Sequence, residues 1–529
     1  MSFSRRDWLR TTSMGIASGW AIAPSAQSHA LPKAPPPAGQ LFSPIAFGAK
    51  GDGVAKDTPA LQRAIDAASE HGGGTVHVPA GRYLCGTLVL KSNVSLWLDN
   101  GSILIMSSDN QDFLPVAKLD YDPKANNDTS DFHFALLSAE DQDNIAVFGE
   151  GIIEGNRPKR GGPKPIALKR CKHVAIRNIT LRNAPNYNIS LLGCSYIHID
   201  SITIHNGFAD GIDPDCSRYV RISNCFVESH DDAICLKASG ALGEHAATEH
   251  VAIDNCVLRT ASIHVKCGTE SCGDFRNIAV SNCVFEGGMG MSHGNPGVAF
   301  YTTDEGALEG ISVSNIVMRD VATPIAMIRG DRDRCGLAKG PGTLNSISIS
   351  NIVATGAKLF SVIAGLPEAP INGIRLENIS ISIKGTVPAP TPKSLEEIPE
   401  KPKAYPQPVM FGALPAFGLF LRHVSDVVLR DIEVRTDVPQ ERYAVVVDDT
   451  ERLRCSLWNN GEQKTLWLNN VRESSLEVGA TAALPAPVCR ISGASTTRLF
   501  IKTTGALNPQ THVTIEQSVP KQAVQGTQG

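Results

Sequence analysis

The sequence predicts an all-β chain wound as a single-stranded right-handed parallel β-helix, with a helix capping its N-terminal end. Three observations carry this. The pattern apolar-x-apolar-x-Asn-(Ile or Cys)-x-apolar recurs, as in "VAIRNITL" (174–181), "VRISNCFV" (220–227), "VAIDNCVL" (251–258) and "IRLENISI" (374–381). Its bend position falls at Asn178, Ser201, Asn224, Asn255, Asn282, Asn315, Asn351, Asn378 and Asp431, with a shortest step of 23 residues and longer steps where loops intervene. The composition, with 47 Gly, 33 Pro and only 19% charged residues, suits short strands and many turns better than a helical bundle.

Alternation on both sides of each bend is strand periodicity. One such coil cannot bury its apolar face alone, so a repeated step of this size builds a stack with a continuous core. Asn tolerates the left-handed backbone of a tight bend, and a column of Asn can hydrogen-bond along the stack. A β-propeller would repeat every ~40–50 residues with four strands per blade. The 23-residue step excludes it.

The elements follow in chain order. Residues 1–30 read as a twin-arginine export signal: "SRRDWLR" (4–10), an uncharged apolar run over 11–23, and small residues in "SHA" (28–30). This predicts a periplasmic or secreted mature protein, with the twin-arginine export machinery as a transient partner. A linker occupies 31–40, and the β-helix domain spans 41–517. It opens on "GAKGDGVAKDTPALQRAIDAASEHGGG", where Asp57 is expected as an N-cap and Pro59 in the first turn of an amphipathic helix reaching about Ser69. Such a helix covers the open end of the stack. A Pro- and Lys-rich insertion at about 385–410 cannot join a ladder and must loop out. Residues 518–529 read as a disordered tail.

The formal charge of −4 gives no global basic surface for nucleic acid or anionic membrane, and a monomer is expected. Thirteen cysteines in an exported chain suggest bridges. Cys225, Cys256 and Cys283, however, recur beside the bend Asn, so most are read as small buried hydrophobes. No C-x-x-C pair or H-E-x-x-H supports a zinc site, and no metal or cofactor is expected.

The repeat also organises carboxylates. Asp210 lies nine residues past the bend at Ser201, and Asp231 and Asp232 lie seven and eight past Asn224. Coils stack about 4.8 Å apart, so the three should project from neighbouring coils onto one face. Crowded carboxylates raise one another's pKa, leaving an acid beside a base, as acetal hydrolysis needs. Solvated turn aspartates would give the same spacing. His264, nine past Asn255, falls in nearly the same column, and Lys266 and Lys237 lie close by. These three are candidate substrate-binding groups. His293 in "GMSHGNPG" reads as a loop residue.

In these segments the chain resembles the polygalacturonase family of pectin-degrading glycosidases, glycoside hydrolase family 28. The segments are "FGAKGDGVAKDTPALQRAI", "GGGTVHVPAGRY", "GEGIIEGN", "ITLRNAPNYNI", "ADGID" and "HDDAICLKASG", in that order. The family's Asn-Thr-Asp-Gly motif corresponds to residues 208–211 and its Gly-Asp-Asp-Cys motif to 230–233. The resemblance implies Asp231 as general acid, Asp210 with Asp232 as the groups activating water, and inversion at the cleaved carbon. Two motifs depart. Gly-His-Gly should fall at 262–264, where His comes one residue late. Arg-Ile-Lys should fall near 299–301, where no basic residue stands. The substrate implied is a pectic polysaccharide or oligosaccharide, galacturonan or rhamnogalacturonan, and long loops at 240–249 and 329–341 suggest removal of terminal sugars. A Ca²⁺-dependent polysaccharide lyase and a non-catalytic carbohydrate-binding solenoid are the alternatives on the same fold.

Overall fold

The computed structural model describes residues 40–336, 340–385, 391–459, 464–480 and 487–528. The expected export signal, the linker up to residue 39 and residues 386–390 of the insertion lie outside them. The described chain is a right-handed parallel β-helix. One sheet joins Ile189–Leu192, Ile212–Asp215, Ile234–Ala238, Val265–Ser271, Pro296–Thr302, Thr323–Arg329 and Ser361–Ala364, each parallel to the next. A second joins Lys172–Arg177, Ser195–Asp200, Arg218–Ser223 and Thr248–Asp254. A third joins Thr180–Arg182, Thr203–Gly207, Phe226–Ser229 and Val257–Thr260. From Phe275–Glu286 onward the second and third strands of a coil run together across the bend.

The apolar positions of the repeat stack in register. Ile199, Ile222, Ile253, Val280, Val313, Ile349 and Leu376 pair successively and are buried. Each removes its side chain from water at a gain of about 1.5–3 kcal/mol. Cys225, Cys256 and Cys283 lie beside this column, buried and unbridged. One disulfide does form, Cys272–Cys335, across 63 residues, while the other eleven cysteines are buried and free.

The bend residues have left-handed backbones, with φ between 52° and 59° at every one of the nine positions. The amides of Asn255, Asn315, Asn351 and Asn378 donate to Asn224, Asn282, Asn315 and Asn351 at 2.7–3.1 Å. Asn224 and Asn282 donate instead to Asp200 and Asp254, each the residue before the neighbouring bend.

The capping helix runs Thr58–Glu70, with Leu61, Ala64, Ile65 and Ala68 buried. Asp57 stands at its N-cap, but its carboxylate makes no cap bond. It accepts from the amides of Lys50 and Gly51, closing the preceding Gly-rich turn. At the other end, the expected disordered tail is corrected: Val524–Gln528 forms a strand parallel to Leu499–Thr503. Backbone pairing to an exposed last coil is available to any sequence, which is why weak side-chain periodicity there did not reveal it. The insertion leaves the ladder as expected and then folds back. Leu395, Ile398, Phe411 and Leu414 pack with Ile263, Tyr301, Ile328 and Phe420 in a second apolar cluster.

Asn351→Ala should lower the melting temperature more than Asn351→Gly. Both lose two ladder bonds, but only Ala carries a Cβ into the left-handed region, at about 1–2 kcal/mol. Equal shifts in thermal unfolding would assign the whole effect to the ladder.

Candidate active site

The carboxylates meet because the register slips. Ile204 pairs with Val227, a step of 23, whereas Gly207 pairs with Ser229, a step of 22, with an irregularity between them. The shorter step continues through Ile212 with Ile234, which sets Asp232 level with Asp210. Oxygens of Asp210, Asp231 and Asp232 consequently lie within 4.8 Å of one another. They border a cavity of about 190 Å³ whose walls include Tyr187, Arg160, Glu270 and Tyr405. The groups are not equally reachable. The Asp231 side chain is 23% exposed, against 5% for Asp210 and 4% for Asp232.

Each carboxylate has its own cation. Lys266 Nζ donates to Asp232 Oδ2 at 2.8 Å, and the Ser262 hydroxyl (2.7 Å) and Ile263 amide (3.1 Å) donate to Oδ1. Burial works to raise the Asp232 pKa, but Lys266 and Ser262 overcome it and hold the carboxyl below its usual range. Lys237 is sealed beneath, donating to Asp210 Oδ2 at 2.8 Å and to Asp213. Burial, with Asp213 alongside, pushes Asp210 well above the ordinary carboxylate range, against the pull of Lys237. Arg160 bridges Asp231 (2.6 Å) and Asp128 (2.7 Å) across the mouth. Two buried neighbours thus differ in their hold on a proton, one kept ionised and one inclined to protonate, while a third faces solvent.

His264 is corrected. It is fully buried, stacked on Phe285, with Nδ1 facing the Pro296 carbonyl and Nε2 the Glu286 carbonyl, and burial lowers its pKa. The cause is the same slip. Ile234 pairs with Val265, so His264 is level with Ala233, not with Asp232. A displacement of one residue turns a strand side chain to the opposite face. Lys266 and Lys237 do reach the cavity, as partners of the aspartates. Residues 299–301 are buried.

Several bordering groups were missed. Tyr187 could have been found, since the pairing of Ile189 with Ile212 sets it level with Asp210. His293, expected as a loop residue, lines the cavity and packs against Tyr405 at 4.9 Å between ring centres. Arg160 and Tyr405 lie on segments outside the ladder, where no periodicity points. Tyr405 belongs to the Pro-rich insertion, and its hydroxyl accepts from Lys266 at 3.1 Å. The aspartate trio is also the donor set that could hold a cation. Lys237 and Lys266 already place ammonium groups on two of the three, which leaves it poorly matched to a divalent ion.

Clustered carboxylates that differ in access and in their hold on a proton are what glycoside hydrolysis uses. The comparisons give the chain's class. The model of "Glycosyl hydrolases family 28" matches residues 138–399. A probable polygalacturonase of Vitis vinifera is 24% identical over 369 residues, covering 64% of this chain and 74% of that protein. Two solved structures share the fold. The exopolygalacturonase of Thermotoga maritima has a TM-score of 0.56 at 22% identity, covering 65% of this chain and 87% of that one. The family 28 exopolygalacturonase of Yersinia enterocolitica has a TM-score of 0.60 at 18% identity, covering 76% of each. The chain is a glycosidase, of the pectin-degrading kind. More narrowly, it is polygalacturonase-like, and its residues 138–399 match glycoside hydrolase family 28.

Lys266→Met should move the acid limb of the kcat/KM profile to higher pH. Removing the ammonium removes what keeps Asp232 ionised, so its pKa rises. The protein should also lose about 3–5 kcal/mol of stability, because a buried carboxylate is left unpaired. An unmoved acid limb would show that Asp232 is not the group titrating there.

Proposed function

We propose that this protein removes terminal sugars from pectic chains by hydrolysis, with Asp231 as general acid and Asp232, with Asp210, activating water. The observation that carries the assignment is the difference in access and pairing among the three aspartates. Asp231 alone is exposed enough to meet an incoming glycosidic oxygen. Asp232 is held ionised by three donors, the condition of a general base. Asp210, inclined to carry a proton, suits a group that orients the water and shares its proton. Arg160 must yield its bond to Asp231 as the substrate arrives, since the leaving oxygen needs that position.

The cavity favours chain ends. Its 190 Å³ is below the ~300 Å³ at which drug-sized ligands are usually accommodated. Tyr405, His293 and Arg160 all line it, which supports exo action over an open groove.

One observation favours a second stereochemical course. Inverting pairs usually stand ~6.5–9.5 Å apart and retaining pairs ~5–5.5 Å, while here the nearest oxygens lie within 4.8 Å. Under retention Asp232 or Asp210 would attack the sugar directly. Proton NMR of the first-formed anomer separates the two, and the family resemblance supports inversion. A lyase would leave an unsaturated uronate absorbing in the ultraviolet and would stop on chelation. Hydrolysis does neither.

Asp231→Asn should abolish hydrolysis of polygalacturonan and rhamnogalacturonan, at least 100-fold in kcat, while retaining substrate binding by calorimetry. Retained turnover would remove Asp231 from the acid role. Product sizing on wild type should show monosaccharide or disaccharide from the earliest times, and early long oligomers would defeat exo action.

We further infer export through the twin-arginine route. Replacing Arg5 and Arg6 by Lys should hold the precursor in the cytoplasm, and fractionation followed by immunoblotting would show it.

A further inference from the structure

Three cations line the cavity, and each is engaged by a carboxylate. Lys237 bonds Asp210 and Asp213, Lys266 bonds Asp232, and Arg160 bonds Asp231 and Asp128. Arg334 grips Asp304 through Nε at 3.0 Å and Nη2 at 2.7 Å. Arg332 differs. Its Nη1 is buried and has no hydrogen-bond partner. Its guanidinium carbon lies 5.7 Å from the centre of the Tyr405 ring, which borders the cavity and is approached at the same 5.7 Å by Lys266 Nζ. Burial, with Arg334 alongside, pushes its pKa below the ordinary value. A buried donor atom without a partner is costly unless water or a ligand completes it.

The position of Arg332 is built. Its amide donates to the Thr303 carbonyl, and the Asp331 amide donates to the Pro402 carbonyl at 2.8 Å. Lys403 pairs with Asp331 at 2.9 Å, which ties this segment to the insertion bearing Tyr405. Three residues further on, Cys335 is bridged to Cys272, next to the strand Val265–Ser271 that carries Lys266 and Glu270. The segment is therefore held at both ends, once by the insertion and once by the ladder.

We propose that Arg332 is a specificity-determining residue that receives the carboxylate of a uronic acid unit, and that the Cys272–Cys335 bridge keeps it in place. The proposal rests on the pectic-hydrolase reading. A uronate differs from the neutral sugar, and from its own methyl ester, by one anionic carboxylate. A guanidinium presents a planar pair of donors that matches that group, and each cation lining the cavity, Arg160, Lys237 and Lys266, already holds a carboxylate of the protein. Lysine, a point donor, would match it less well.

The test compares KM on unesterified polygalacturonate and on its fully methyl-esterified form, for wild type, Arg332→Gln and Arg332→Lys. Arg332→Gln should raise KM about 10- to 100-fold on the charged polymer, with a much smaller change on the ester and with kcat less affected than KM. Arg332→Lys should recover part of the loss. Cys335→Ser, checked for folding by circular dichroism, should shift KM in the same charge-dependent way. An equal rise on both polymers, or none on either, overturns the proposal. Calorimetry of free galacturonate on Asp231→Asn, with and without Arg332→Gln, reads the contact without turnover. Arg332-dependent binding in a protein that cleaves neither polymer would sink the hydrolase reading and keep this one. Cleavage with Arg332-independent binding would do the reverse.

Discussion

Parallel registration between coils is the constraint on which the rest of the molecule depends. Each strand hydrogen-bonds to its counterpart one coil on, so the number of residues per coil decides which side chains become neighbours. A step of 23 keeps apolar residues above apolar residues through the core. Between Ile204 and Gly207 the step falls to 22, and the irregularity absorbs the missing residue. That local shortening sets Asp232 level with Asp210 and leaves Tyr187 level with both. Because the side-chain period of a strand is two, the same arithmetic turns His264 inward. One residue of chain length separates a ligand from a core histidine.

Concentrating carboxylates in this way is electrostatically unfavourable, and the structure meets the cost with cations from the same ladder. Asp210, Asp213 and Asp232 are fully buried acids, and Lys237 and Lys266 are buried bases in neighbouring strands. Burying an ion pair gives little net stability, while breaking one is severe. The pairs are therefore better understood as setting protonation than as holding the fold together. Lys266 keeps Asp232 ionised despite its burial, and Lys237, shared between two acids, leaves Asp210 inclined to protonate. Adjacent coils thus supply unlike carboxylates from like residues.

The solenoid, its core face and the column of bend residues were legible in the sequence, because each reports a fixed period. The aspartate cluster was legible for the same reason. What failed were details in which the period is broken or irrelevant. His264 was misplaced because residues were counted from the bend, and the count does not register the slip two coils earlier. Tyr187 sat in view but carries no charge to attract notice. Arg160, Tyr405 and Arg332 come from segments that join no ladder, and the sequence contains nothing that relates position 160 or 405 to position 231. Val524–Gln528 was missed because a terminal strand needs only backbone partners.

This division follows from how a solenoid is built. Lengthening a surface loop costs little, since closure entropy grows only with the logarithm of length, and each coil's stability depends on its immediate neighbours. Insertions can therefore accumulate at one edge without disturbing the core. Here they do more than accumulate. The Pro-rich insertion returns to bury Leu395 and Ile398 against the outer face of a sheet, and its Tyr405 closes one side of the cavity. Asp331 and Lys403 connect it to the segment carrying Arg332 and Arg334, which the Cys272–Cys335 bridge ties to the ladder. The aspartates proposed to break the bond stand between strands of the periodic ladder, where geometry is dictated by every neighbouring coil. The groups that shape access stand on tethered loops, where sequence is free to vary. A change of substrate in such a molecule requires new tethers and not a new core, so the side chains at 160, 332 and 405 can change selectivity while Asp210, Asp231 and Asp232 stay fixed.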